Sequence, residues 1–194
     1  IAHAAIQGGV ADSTTGLYDL TISGGGTTCE IYGTTTIHRN MEAGGATTVV
    51  RGDLTVNGNL TVYGALTTIY SSTSHNLTVN GTTTIGLGSG AADVSTLTCN
   101  DSTVSLGALR QQADYAVNIE VGGTFVGGTG THTFGSLFMA QSANAKATMT
   151  TGQVKVNGEN TSANKAWRVE YGGDTFDNAN GTVMFQFNGF DSRM

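Results

Sequence analysis

Three consecutive hexads in the N-terminal half constrain the fold of this chain more than any other feature. From Gly52 the sequence reads GDLTVN, GNLTVY and GALTTI. Related blocks lie on either side, TCEIYGTTTIH from Thr28 and NLTVNGTTTIG from Asn76. Self-similarity at a short fixed period is typical of architectures in which successive units stack on one another.

Within each block the apolar residues share one parity. Residues two apart point to the same side of an extended chain, so these side chains are predicted to form one buried face. The predicted core residues are Leu54, Val56, Leu60, Val62, Leu66, Leu77, Val79 and Ile85. A single coil cannot cover such a face, so we expect it to be covered by further coils of the same chain or by other chains.

Glycines fall on this same inward side, at Gly33, Gly58, Gly64 and Gly81. An inward glycine in a strand marks a bend or the close approach of another backbone. A flat sheet does not require such positions, whereas a three-sided coil needs a corner about every six residues. The repeat therefore predicts a β-helix or β-prism with these four glycines at its corners.

Composition changes near residue 107. Of the 14 aromatic residues, ten follow this point, among them Trp167. Short alternating segments separated by Gly-rich or Asn-rich turns then run to the C-terminus, a pattern typical of antiparallel β domains. We predict an all-β chain with a repetitive Gly/Thr-rich β-helical part over 1–107 and a compact, aromatic-rich antiparallel sandwich or barrel over 108–194.

Charge excludes several classes of partner. The net charge is −6, only 11% of residues are charged, and the Lys and Arg residues do not cluster. Nucleic acids and anionic membrane surfaces attract concentrated positive charge, so neither is an expected partner. No apolar run approaches the ~20 residues that span a bilayer, so membrane insertion is not expected. The chain begins at Ile1 rather than Met, and we expect that an N-terminal segment has been removed.

No catalytic motif is present, and we expect neither an enzyme nor a cofactor. Cys29 and Cys99 lie in alternating segments and are read as two buried thiols, with a disulfide between them as the alternative.

A segment near the C-terminus carries four clustered oxygen donors. It is interpreted as a turn, with a calcium site as the alternative. Its residues are Asp174, Asp177, Asn178 and Asn180.

The hexads GDLTVNGNLTVYG and the later NLTVNGTTTIG resemble two groups of proteins over residues 28–90. One is the trimeric fibre, spike and decoration proteins of tailed phages, which implies three chains sharing one β-helix or β-prism. The other is the bactofilins, which implies a single-chain β-helix that polymerises end to end. The long aromatic C-terminal part and the interruption at Tyr70–His75 favour the phage group.

The expected function is that of a virion structural protein, a capsid or tail fibre, spike or decoration subunit at the virion surface or outside the cell. It would act in assembly, particle stabilisation or attachment to a host-surface glycan or protein. We expect a homotrimer that contacts other virion subunits. The second hypothesis is a self-assembling subunit of a cellular extracellular filament or sheath. The third is a polysaccharide-active β-helix enzyme, which needs two carboxylates at a defined separation.

Overall fold

The computed structural model of the chain describes residues 3–7, 17–23, 28–68, 75–86, 95–107, 115–158, 166–170 and 175–186. Within these ranges the chain is all-β and folds as a parallel β-helix, which confirms the predicted fold class for the repetitive part. No helix that could cross a membrane occurs in these ranges.

Twenty strands within the described ranges build the coils. Those of the first half are β1 (His3–Gln7), β2 (Leu20–Ile22), β3 (Thr28–Tyr32), β4 (Thr35–Ile37), β5 (Met41–Arg51), β6 (Leu54–Val56), β7 (Leu60–Thr68), β8 (Asn76–Val79), β9 (Thr83–Ile85) and β10 (Ser95–Thr98). Those of the second half are β11 (Thr103–Leu106), β12 (Val117–Ile119), β13 (Gly123–Val126), β14 (His132–Phe134), β15 (Leu137–Met139), β16 (Lys146–Thr148), β17 (Gln153–Val156), β18 (Trp167–Val169), β19 (Phe176–Asp177) and β20 (Thr182–Phe185).

The strands stack in three rows, and the chain visits the rows in a fixed cycle. Face 1 consists of β4, β6, β8, β11, β14, β17 and β20. Face 2 consists of β2, the first halves of β5 and β7, then β9, β12, β15 and β18. Face 3 consists of β1, β3, the second halves of β5 and β7, then β10, β13, β16 and β19.

Faces 2 and 3 belong to one 13-stranded sheet because β5 and β7 each run across the corner between them. Their pairing shifts register between Gly44 and Thr47, and Gly64 lies at the matching position of β7. The ring of Tyr63 occupies the space that a side chain on Gly44 would need. The corner is therefore made by a local irregularity in two continuous strands rather than by a separate loop.

The core is built from inward columns that run along the helix axis. On face 1 one column comprises Thr35, Leu54, Leu77, Val104, His132, Val154 and Val183. The next comprises Ile37, Val56, Val79, Leu106, Phe134, Val156 and Phe185. All except the last member of each column are buried. Burial of each such aliphatic side chain contributes about 1.5–3 kcal/mol.

Two of the predicted corner glycines stack on one another between faces 1 and 2. A Cβ on Gly58 would lie 2.3 Å from the carbonyl oxygen of Arg39, and a Cβ on Gly81 would lie 2.4 Å from that of Gly58. Gly33 lies in the turn between β3 and β4 with a φ of 67°, a left-handed conformation that favours glycine. Close packing of backbone at the corners is what requires these residues.

A ladder of side-chain oxygens follows the same corner. Oδ1 of Asp19 accepts the backbone N–H of Asn40 at 3.0 Å, and Oδ1 of Asn40 accepts that of Asn59 at 2.9 Å. Oδ1 of Asn59 then accepts the N–H of Thr82 at 2.9 Å. Each side chain thus satisfies a backbone donor of the next coil that the turn would otherwise leave without a partner.

The antiparallel sandwich or barrel predicted for 108–194 is wrong. The described strands of this region pair in parallel with strands one coil earlier, as in β14 with β17 and β17 with β20. Face 1 continues from β11 to β14 across the domain boundary predicted at 107. Alternation of apolar and polar residues has the same period in parallel and antiparallel strands, so it did not define the direction of pairing.

The core is completed within one chain. Leu54, Val56, Leu60 and Val62 have no exposed surface in the single chain, and Leu77, Val79 and Ile85 are buried with them. Leu66 lies in β7, but its side chain is outside the described part. A core shared by three chains was predicted because one coil cannot cover its apolar face. Since further coils of the same chain cover it, this reason for a shared core no longer applies.

Candidate functional site

The C-terminal end of the β-helix is the first candidate for a functional surface. The last coil consists of β18, β19 and β20, which pair on one side with β15, β16 and β17. Among the described strands none pairs with their other edge. Three strand edges, one on each face, are therefore directed along the axis at this end.

Aromatic side chains from all three faces meet over the core at this end. Trp167 of face 2 contacts Phe176 of face 3 edge-on, with ring centroids 6.0 Å apart, and Phe185 of face 1 at 6.2 Å. Phe185 is 47% exposed, although Phe134 in the same inward column has no exposed surface. Met184 beside it is 39% exposed. The end of the core column is thus apolar, aromatic and only partly covered by described residues.

Three of the four predicted calcium residues, Asp177, Asn178 and Asn180, lie at a tight turn between β19 and β20. Ala179 and Asn180 both have positive φ, and the N–H of Gly181 donates to the carbonyl of Asn178 at 3.0 Å. Positive φ at both central residues is the pattern of a type I′ turn. Oδ1 of Asp177 accepts the N–H of Ala179 at 2.8 Å, and Oδ1 of Asn178 accepts that of Asn180 at 3.1 Å.

These side-chain oxygens therefore stabilise the turn. Asp174 lies outside the described residues. In the described ranges no group of three or more His, Cys, Asp or Glu side chains is placed to hold a metal ion.

Both cysteines are buried thiols outside any disulfide, as the alternating pattern predicted, and the alternative of a disulfide between them is wrong. Cys29 lies in β3 beside Thr48 of the next coil, and Cys99 follows β10. Burial raises the pKa of both thiols, and the neighbouring Glu30 carboxylate raises that of Cys29 further. A raised pKa leaves little thiolate at neutral pH, so neither sulfur has the character of a nucleophile.

Among the described residues, His132 has a strongly lowered pKa. It lies in the inward column of face 1 with no exposed surface, between the rings of Phe125 at 5.7 Å and Phe134 at 5.9 Å. Burial lowers its pKa to about 4, although the backbone at Gly127 opposes part of this effect. His132 is therefore a neutral core residue, and the sequence pattern offered no sign of it beyond its parity with Phe134.

Most of the described carboxylates take part in the scaffold. Glu30 accepts two hydrogen bonds from the guanidinium of Arg51, at 2.9 and 2.6 Å. Asp19 forms an ion pair with Arg39, and Oδ1 of Asp53 accepts the N–H of Asn76 at 2.8 Å. These groups hold neighbouring coils together, which is a structural use of charge.

Comparison of the chain with protein-family models, with curated proteins and with solved structures finds no match. The function is therefore inferred from the geometry of the β-helix and the chemistry of its surfaces.

Proposed function

We propose that this chain is a non-enzymatic structural subunit of an assembly at a virion surface or outside a cell. Each subunit would bind its neighbour through the C-terminal end of the β-helix. The observation that carries the proposal is the aromatic group formed by Trp167, Phe176 and Phe185, which lies over the end of the core column beside strand edges that no described strand pairs with. An apolar group exposed beside unpaired edges favours association with another β structure.

The partner proposed for this end is a second copy of the chain, added head to tail. A coil with the same three rows can pair with all three open edges at once and keep every strand parallel. The described N-terminal coil supplies such rows through β1 on face 3 and β2 on face 2. Its face 1 position is occupied by Leu17, which is 39% exposed and bridges to Ile37.

Two forms of this function lead to different assemblies. The first is a virion fibre, spike or decoration subunit. The sequence resemblance favours a discrete trimer for it, and that trimer would need a contact besides the head-to-tail one, because head-to-tail stacking along the axis does not close. The second is a subunit of an extracellular filament or sheath, which would form polymers whose length increases with concentration. Structural use of Asp19, Glu30, Asp53 and Asp177 supports both forms over a polysaccharide-cleaving enzyme.

Light scattering coupled to size-exclusion chromatography over a wide dilution range tests the proposal. We expect the wild type to associate and the Phe185→Lys variant to remain monomeric, because association would bury the introduced charge at the apolar end. Thr148→Lys is the matched control, since it adds the same charge on the outward side of β16, where Thr148 is exposed. A wild type that is monomeric at every concentration, or equal association of both variants, would refute the proposal.

A further inference from the structure

The outward side of face 2 carries a polar groove that the proposed assembly does not use. Its floor is a row of three side chains on successive coils, Thr61, Thr84 and Asn118, which are aligned in register. Neighbouring strands lie about 4.8 Å apart, so the row presents a hydroxyl or an amide at that repeat. The cavity above the row has a volume of about 580 Å³.

Four further residues form the sides of the groove. Asn59 and Thr82 line it at the corner from face 1, and Tyr115 and Glu120 line it at either end of β12. The Tyr115 ring stacks on Phe138 with centroids 5.1 Å apart, and the guanidinium of Arg168 lies 5.8 Å from the Phe138 ring centre. The aromatic side of the groove is thus supported by a second ring and a cation behind it.

The remaining polar contacts also limit the motion of the lining. Nδ2 of Asn118 donates to the carbonyl of Tyr115 at 3.2 Å, and Oδ1 of Asn59 accepts the N–H of Thr82 at 2.9 Å. These contacts fix the two amides while each keeps a second polar atom, Oδ1 of Asn118 and Nδ2 of Asn59. The groove is therefore positioned by strands and corners, which lowers the entropy lost when a ligand is bound.

From this lining we infer that the groove binds a neutral oligosaccharide, laid along the β-helix axis across the coils that contribute Thr61, Thr84 and Asn118. Sugar hydroxyls both donate and accept, as do threonine hydroxyls and asparagine amides. The C–H face of a pyranose ring packs on an aromatic ring, and Tyr115 supplies one. The spacing of the coils is close to the length of one sugar residue in a chain.

Charge and polarity select against the other ligand classes. None of the seven lining residues is cationic, and Glu120 places a carboxylate at the edge, so acidic glycans and nucleic acids are disfavoured. An apolar ligand would leave the polar atoms of the floor without partners. This site is separate from the C-terminal end, and the inference does not rest on the assembly role.

Binding of the intact chain to an array of neutral oligosaccharides, followed by calorimetric titration of the best ligand, tests the inference. The array would also carry acidic oligosaccharides and peptides. The double variant Thr84→Val and Asn118→Ala removes two polar groups of the floor, and we expect it to weaken binding about tenfold or more.

Thr133→Val is the matched control, because Thr133 is half-buried like Thr84 and lies on the outward side of face 1. Circular dichroism and the elution volume should be unchanged in both variants. The inference is overturned if no neutral oligosaccharide binds, if only peptides or acidic glycans bind, or if the double variant binds as tightly as the control.

Discussion

Replacing Gly58 with alanine tests whether backbone contact at the corner holds the coils together. The added Cβ would lie 2.3 Å from the carbonyl oxygen of Arg39 and 2.6 Å from Oδ1 of Asn40. Both atoms belong to the preceding coil, and the N–H of Gly58 donates to that same carbonyl at 2.6 Å. The methyl group therefore cannot be accommodated without moving one coil away from the next.

Two contributions determine how much Gly58→Ala lowers the free energy of unfolding. Overpacking against a fixed backbone costs about 1–3 kcal/mol. Weakening the Gly58 N–H to Arg39 hydrogen bond adds about 0.5–1.5 kcal/mol. We expect a loss of about 2–4 kcal/mol in the free energy of unfolding, which lowers the Tm of a chain of this length by about 5–15 °C.

Thermal unfolding followed by far-UV circular dichroism measures this loss. Gly44→Ala is the matched control, because its Cβ would meet the outer end of the Tyr63 side chain, which can rotate away, rather than backbone. We expect a clearly smaller loss in the control. If the Tm of Gly58→Ala equals that of the wild type, or is no lower than that of Gly44→Ala, backbone contact does not hold the corner together.

Two further predictions concern buried groups. His132 is neutral in the fold with a pKa of about 4, whereas an unfolded histidine binds a proton below about 6.5. Stability should therefore fall by about 3 kcal/mol as pH drops from about 6.5 to 4, and His132→Leu should remove that slope in urea unfolding. Cys29 and Cys99 should both react with a thiol reagent when the protein is unfolded without reductant. In the native protein the fully buried Cys99 should be protected from the reagent. If neither thiol reacts in the unfolded protein, the two cysteines form a disulfide.

The repetitive part of the fold could be predicted from the sequence because its coils are nearly equal in length. Asn40 and Asn59 are 19 residues apart and Asn59 and Thr82 are 23 apart, so the apolar parity and the corner glycines recur at similar positions. Inward placement of Leu54 and Val56 follows from alternation alone. Local sequence and global fold agree in this region.

The C-terminal half could not be predicted in the same way. Its coils bury Phe125, Phe134 and Met139 where earlier coils bury Leu and Val, so the hexad motif is lost although the cycle of faces continues. The polar groove on face 2 could not be predicted from the sequence either. Its floor combines Thr84 and Asn118 through coils of unequal length, and no fixed spacing connects them.

The corner ladder of Asp19, Asn40 and Asn59 has a direction, and this direction bears on how the protein is made. In each ladder bond the accepting side chain lies earlier in the chain than the N–H that it binds. A segment leaving the ribosome therefore meets acceptors that are already in place on the coil before it. Synthesis from the N-terminus supplies each acceptor before its donor, which is the order in which a finished coil can serve as a template for the next.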